Sequence, residues 1–266
     1  MPSYNAGRFI EQAIQSVLTQ SFKNFELIVV DDASTDHTAG LLKSLAASDP
    51  RIRVIVNKTN LGVAASRNRA IACASGQFVA FLDADDIWLK DKLDRQLRFM
   101  QKKNAEFCFT AHELCDEHGV PSGKAVDLVC PDKVGFRDLA LKRATIGSST
   151  VMIDRTNISK LEVPPLRIGE DYALWLILLK ANRVAHRLPE ALTRYRVVPG
   201  SLSRNKFRQA AQRWQTYRKY AEFTFFQSTW YFLNYAYKSL LPEETSTNIF
   251  QTELDSESNG SKRKHD

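Results

Sequence analysis

The 266-residue sequence is 44% hydrophobic and 25% charged, an ordinary globular composition with room for one large domain or two small ones. It holds no apolar run of the roughly 18 residues that a spanning helix needs, and no charged-then-apolar leader, so the expectation is an intracellular, cytoplasmic protein. The net charge of +7 is uneven, because residues 137–218 hold 16 Lys and Arg against 6 Asp and Glu, which suits either an anionic neighbour, such as a phosphate or a lipid surface, or a plain solvated face.

Residues 8–20 space Phe9, Ile10, Ala13, Ile14, Val17 and Leu18 along one helical face. Residues 25–30 form a short apolar run that ends in Asp31 and Asp32, as a buried parallel strand does. A helix over about 38–48, a strand over 52–56, a loop over 57–62, a helix over about 63–74 and a strand over 77–82 follow. This alternation predicts an α/β unit, a mostly parallel sheet flanked by helices, with ligands beyond the carboxyl ends of its strands. A charged amphipathic helix over 91–103 and a strand over 106–110 come next, then an irregular polar region over 112–140. Residues 147–153 read as a strand, and 169–180 as an apolar helix that opens on Glu170 and Asp171. These acids also suit a helix N-terminus for the macrodipole alone.

The strand ending at Leu82 delivers Asp83, Asp85 and Asp86 within four positions. Crowded carboxylates raise one another's pKa unless a cation neutralises them, and Mg2+ takes one or two protein carboxylates with phosphates and water completing its shell. One of the three, Asp86, is read as the N-cap of a helix opening at Ile87 and Trp88. Asp31 and Asp32 fall on the same rim. Cys73, Cys108, Cys115 and Cys130 lack zinc-site spacing and read as reduced thiols. His112, His118 and His186 read as ordinary histidines rather than ligands.

Six segments occur in an order that resembles family 2 glycosyltransferases of the GT-A fold: residues 1–5 (MPSYN), 29–36 (VVDDASTD), 60–69 (NLGVAASRNR), 81–86 (FLDADD), 169–171 (GED) and 195–203 (YRVVPGSLS). The likeness is to bacterial enzymes of teichuronic acid, O-antigen and exopolysaccharide assembly. It implies that Pro2, Ser3, Tyr4 and Asp32 form a uridine pocket, that Arg67 holds the nucleotide, that Asp83 faces the ribose, and that Asp85 ligates Mn2+ or Mg2+. It implies Asp171 as catalytic base, with Glu170 in support, in an inverting transfer from a UDP-sugar to a hydroxyl of a saccharide or polyprenyl-diphosphate-linked saccharide acceptor, with no nucleic acid as partner. Arg196 and Arg204 are expected at a pyrophosphate. Relatives carry an apolar strand ahead of the Pro-x-Tyr-Asn motif and often a His where this chain has Val198, so a short first strand is expected here.

The resulting domain reading is a catalytic domain over 1–205, with a nucleotide-binding half (1–110) and an acceptor-binding half (111–205). An aromatic-basic helical extension over 206–241 and a disordered polar tail over 242–266 complete it. The extension suits either peripheral contact with the cytoplasmic face of the inner membrane or a helical hairpin, packed on the domain or at a homodimer contact. The alternatives are a non-catalytic or truncated sugar-nucleotide-binding relative, and a phospho-receiver module. A receiver is shorter, and would not account for the helix opening on Glu170.

Overall fold

A computed structural model describes residues 1–158, 160–198 and 206–240. Arg204, most of the 195–203 loop beyond Val198, and the 242–266 tail lie outside the described residues. The first half alternates as its sequence predicts: β1 (Pro2–Ser3), α1 (Ile10–Leu18), β2 (Leu27–Asp31), α2 (Thr38–Ser48), β3 (Ile52–Val56), α3 (Val63–Cys73) and β4 (Phe78–Ala80). The sheet β1-β2-β3 is wholly parallel, with Ser3 opposite Asp31 and Leu27 opposite Ile52. Every residue of β2 is buried, which is why its sequence is a continuous apolar run rather than an alternation.

The second half departs from the expected parallel sheet. After β5 (Ile87–Trp88) and α4 (Lys92–Lys103) come β6 (Phe107–Cys115), β7 (Pro121–Val126), β8 (Lys133–Val134), α5 (Phe136–Ala140), β9 (Val151–Asp154), α6 (Glu170–Lys180) and β10 (Ala185–Arg196). These strands form a mixed sheet of order β4-β9-β6-β10-β5, with β7 on β6 and β8 on β10. Only the β6–β10 pair is parallel. The region over 112–140 is therefore largely ordered secondary structure. Its polar β7 alternates half-buried and exposed residues over 121–124 before a buried Ala125, so it lacks the apolar run that marks a strand. At 147–153 the chain first makes a 3-10 turn (Ser148–Thr150) and only then a strand.

Trp175 of α6 anchors the core of this half, its ring 5.5 Å from Phe81 and 5.3 Å from Phe107. A large apolar side chain buried in this way contributes about 1.5–3 kcal/mol. A second core packs Ile10, Ile14 and Val17 of α1 against Val29 of β2 and Leu42 of α2. Gln20, fully buried, ties α1 to α4: its amide donates to the Leu89 carbonyl at 2.8 Å and accepts from the Leu93 N–H at 3.0 Å.

The extension is a hairpin of α7 (Lys206–Lys219) and α8 (Phe225–Leu240). Thr224 and Gln227 cap α8 reciprocally, through Thr224 N–H to Gln227 Oε1 at 2.9 Å and Gln227 N–H to Thr224 Oγ1 at 3.3 Å. Tyr217, Ala221 and Phe223 are buried in the Trp175 core, with Phe223 stacked on Tyr231 at 4.4 Å. The hairpin thus packs on the mixed-sheet half along one side. On the other side Phe226, Trp230, Leu233 and Tyr237 are 83%, 63%, 59% and 65% exposed. Spaced four, three and four residues apart, they form one apolar stripe. No helix among the described residues is long and apolar enough to cross a membrane.

Candidate active site

The end of β4 and the start of α6 meet at Arg67, a buried residue of α3. Its Nη2 donates to Asp83 Oδ1 and its Nη1 to Glu170 Oε1, each at 2.5 Å. One guanidinium thereby joins two segments separated by 87 positions in sequence. Burial pulls its pKa down, but Asp83, Glu170 and Asp171 outweigh burial and raise it. Burial and the neighbouring Asp171 push Glu170 up to about 7 against the pull of Arg67.

Asp171 is half-buried, and its Oδ1 accepts the N–H of Tyr172 at 2.7 Å. Gly169 precedes this helix at φ +69, a left-handed conformation that turns the chain sharply and lets both acids enter the first turn of α6.

Asp83 is held from its backbone, its N–H donating to Ser149 Oγ at 3.0 Å. Asp85 is half-buried. Burial, then repulsion from Asp83, raises its pKa to about 6. Asp86 does not cap a helix, because residues 87–88 are a strand and α4 begins only at Lys92 after Asp91. It points inward instead: Asp86 Oδ2 accepts from Ser149 Oγ at 2.5 Å and Oδ1 from the Arg196 N–H at 3.1 Å. Burial, then Asp85 and Asp83, pushes Asp86 well above the usual carboxylate range.

Arg196 is likewise structural rather than open to a pyrophosphate. Its Nε donates to the Asp85 carbonyl at 2.7 Å, its Nη2 to Gln12 Oε1 at 2.7 Å and its Nη1 to the Glu117 carbonyl, while Phe9 lies 4.8 Å from the guanidinium.

In the parallel sheet, just beyond β2, Asp32 is buried and accepts three hydrogen bonds, from Asn57 Nδ2 at 2.6 Å, Leu61 N–H at 2.9 Å and Gly62 N–H at 2.8 Å. A carboxylate offers about four acceptor sites, so one is left for a ligand. Gly62 reaches it at φ +89, where a side chain would be strained. Ser3 is buried beside Asp31, Pro2 is half-buried and Tyr4 is half exposed at 50%. The 60–62 loop that donates to Asp32 also lines a cleft of about 430 Å³, together with Val163 and Leu166 among others.

Among the described residues no three His, Cys, Asp or Glu side chains converge as a metal-binding group. The trio at 83, 85 and 86 is divided between Arg67, the rim and Ser149. A single half-buried carboxylate crowded by another suits a divalent cation that draws its other ligands from a diphosphate. Asp85 fits that description.

Ser149 and Arg196 escaped the sequence reading as supports of this site. Ser149 lies in a run of small polar residues before an apolar strand, and such a run at a buried sheet end marks a side chain that satisfies others.

Parallel β-α units with acids at the strand ends, joined to a mixed sheet that carries a second acidic turn, are the layout of a GT-A glycosyltransferase. The chain belongs to Glycosyl transferase family 2, whose profile matches residues 1–160. It is 42% identical over 235 residues (88% of this chain, 92% of the relative) to a Bacillus subtilis (strain 168) protein, TuaG, named for teichuronic acid biosynthesis. It is 39% identical over 236 residues (88% and 90%) to an Escherichia coli protein, WfgD, named UDP-Glc:alpha-D-GlcNAc-diphosphoundecaprenol beta-1,3-glucosyltransferase. The solved structure of S. aureus TarS 1-349 with UDP matches 74% of this chain and 59% of that one at TM-score 0.61 and 25% identity. The Pyrobaculum calidifontis mannosyltransferase PcManGT, in complex with GDP-Man and Mn2+, matches 99% and 79% at TM-score 0.65, and its 17% identity makes that a likeness of fold.

Proposed function

We propose that the chain is an inverting glycosyltransferase that moves a sugar from a UDP-sugar to a hydroxyl of a diphosphate-lipid-linked saccharide in cell-surface polysaccharide assembly. The observation that carries this is the Arg67 bridge, which brings Asp83 and the Glu170–Asp171 turn together at one guanidinium within a family 2 chain. The E. coli relative named for such an acceptor supports the choice of substrates.

Pro2, Ser3 and Tyr4 line the base, and the remaining acceptor site of Asp32 takes the N–H of uracil. Asp83, aimed by Arg67, contacts the ribose. Asp171 removes the proton of the acceptor hydroxyl as it attacks the anomeric carbon from the face opposite the departing UDP. Glu170 acts through Arg67, fixing the turn that presents Asp171. When Mn2+ or Mg2+ is bound at Asp85, it supplies charge neutralisation at the leaving diphosphate.

The stripe of Phe226, Trp230, Leu233 and Tyr237 suits the headgroup region of a bilayer, where a lipid-linked acceptor resides and where the enzyme would dock from the cytoplasmic face.

Asp171→Asn tests the central claim. It is expected to lower transfer by about 10²- to 10⁴-fold while UDP binding by calorimetry stays the same. Undiminished transfer would remove Asp171 as the base, and UDP binding indifferent to Mn2+ would remove Asp85 as the metal ligand.

A further inference from the structure

Arg213 of α7 lays its guanidinium over the Tyr172 ring, 3.3 Å from the centroid, and faces the Tyr235 ring of α8 at 4.8 Å. It is half-buried, and its neighbours are tyrosines: no carboxylate among the described residues pairs with it. Elsewhere in the molecule partly buried arginines do meet acids, as Arg67 meets Asp83 and Glu170, and Arg187 meets Asp132. Aromatic faces return less than the desolvation of a cation costs, so this charge lacks a compensating anion. A second cation stands at the Tyr235 ring and a third beside it. Lys142 Nζ stands 5.8 Å from Tyr235 and 3.4 Å from Ser239 Oγ, and Lys238 Nζ donates to the Lys142 carbonyl at 3.1 Å.

The place of this cluster gives it a ligand. Tyr172 directly follows Asp171 and donates its N–H to that carboxylate. In a sugar linked through its anomeric carbon to a diphosphate, one pyranose ring separates the phosphates from the reacting hydroxyl. A hydroxyl at Asp171 therefore leaves the phosphates about one ring's length away, and Arg213 stacks on the very next residue, Tyr172. Asp171 itself repels such an anion at that distance, and a cation is required to offset it. Arg213 is one of the enclosed members of the basic excess over residues 137–218.

We propose that Arg213, flanked by Lys142, is the subsite for the acceptor's diphosphate, with the guanidinium held flat between two tyrosines so that its N–H edge meets phosphate oxygens. This rests on the reading of Asp171 as base and of a diphosphate-linked acceptor, and adds the group that selects that acceptor.

The test compares one sugar presented on a short alkyl diphosphate and on a neutral alkyl aglycone. Arg213→Gln is expected to raise KM for the diphosphate acceptor about ten- to a hundredfold, the usual range for losing a charge-assisted hydrogen bond. KM for the UDP-sugar and for the neutral acceptor should not move, and Arg213→Lys should recover part of the loss. An equal loss on both acceptors would make Arg213 merely structural and overturn the proposal. Calorimetry with the alkyl diphosphate alone separates this site from the transfer reaction: binding lost in Arg213→Gln supports the subsite even where no transfer occurs, and unchanged binding overturns it even where transfer proceeds. Sedimentation with phosphatidylglycerol vesicles distinguishes a lipid headgroup, since a variant that loses vesicles but keeps the alkyl diphosphate overturns the acceptor assignment.

Discussion

Lys92 shows how one side chain sets a measurable property of the protein. It is fully buried, its Nζ has no hydrogen-bond partner among the described residues, and the Trp88 ring centroid lies 4.0 Å away. Burial lowers its pKa from 10.5 to about 7, with a small opposing effect from Cys108. The folded chain thus releases a proton that the unfolded chain keeps between about pH 7 and 10.5. Stability contributed by the neutral amine is complete above that window and is lost as pH falls through about 7. Lys92→Met, which keeps the volume, should raise stability near neutral pH by about 1–3 kcal/mol. It should also flatten the rise in Tm measured between pH 7 and 10. A variant melting at the wild-type temperature across that range would show that the amine reaches solvent. The sequence placed Lys92 on a charged surface helix, and nothing in its spacing distinguished a buried lysine from a solvated one.

At the scale of elements, the loop from Asn57 to Gly62 joins β3 to α3 and delivers two backbone N–H groups to Asp32. Gly62 stands at φ +89 with open space around the position of a Cβ, so the obstacle to a side chain there is backbone strain rather than collision. Gly62→Ala should cost about 1–3 kcal/mol and weaken UDP binding together with thermal stability. A variant that loses neither would dissociate the loop from the nucleotide pocket. This half of the fold was legible because each local signal agreed: the apolar run of β2, the acids at its end and the amphipathic α1 all point to one βα unit. The second half was less so. The twelve-residue β10 mixes basic, acidic and apolar residues without a continuous apolar run, and β7 has none either, so the mixed sheet emerges only from pairing with β6. In the site, the acids were readable as a group, but their division was not. Asp86 turns inward because Ser149 and Arg196 wait there, and those partners lie 63 and 110 residues away.

Over the whole molecule, the hairpin has two faces with different partners. Tyr217 and Phe223 pack into the Trp175 core, whereas Phe226, Trp230, Leu233 and Tyr237 face outward. Trp230→Ser combined with Phe226→Ser should reduce co-sedimentation with anionic vesicles several-fold while leaving the melting temperature and transfer to a soluble acceptor unchanged. A loss of Tm, or a shift from dimer to monomer in ultracentrifugation without any change in vesicle binding, would assign the stripe to protein contacts. The aromatic and basic composition of this segment signalled an interface in the sequence. Which rings turned inward could not be read there, because inward and outward residues are equally aromatic.

The strap formed by Arg196 has a consequence for how the protein is made. The turn bearing Asp85 and Asp86 is fastened by a residue 110 and 111 positions later, through the Arg196 N–H and Nε. Contacts of such long range form after local ones, since the loop they close must first be ordered. A chain emerging from the ribosome can therefore assemble its parallel first half early, but the turn at Asp85 takes its final shape only when β10 has left the exit tunnel and docked beside β6. On the proposed role of Asp85, nucleotide binding would then report the docking of β10 rather than completion of the parallel first half alone.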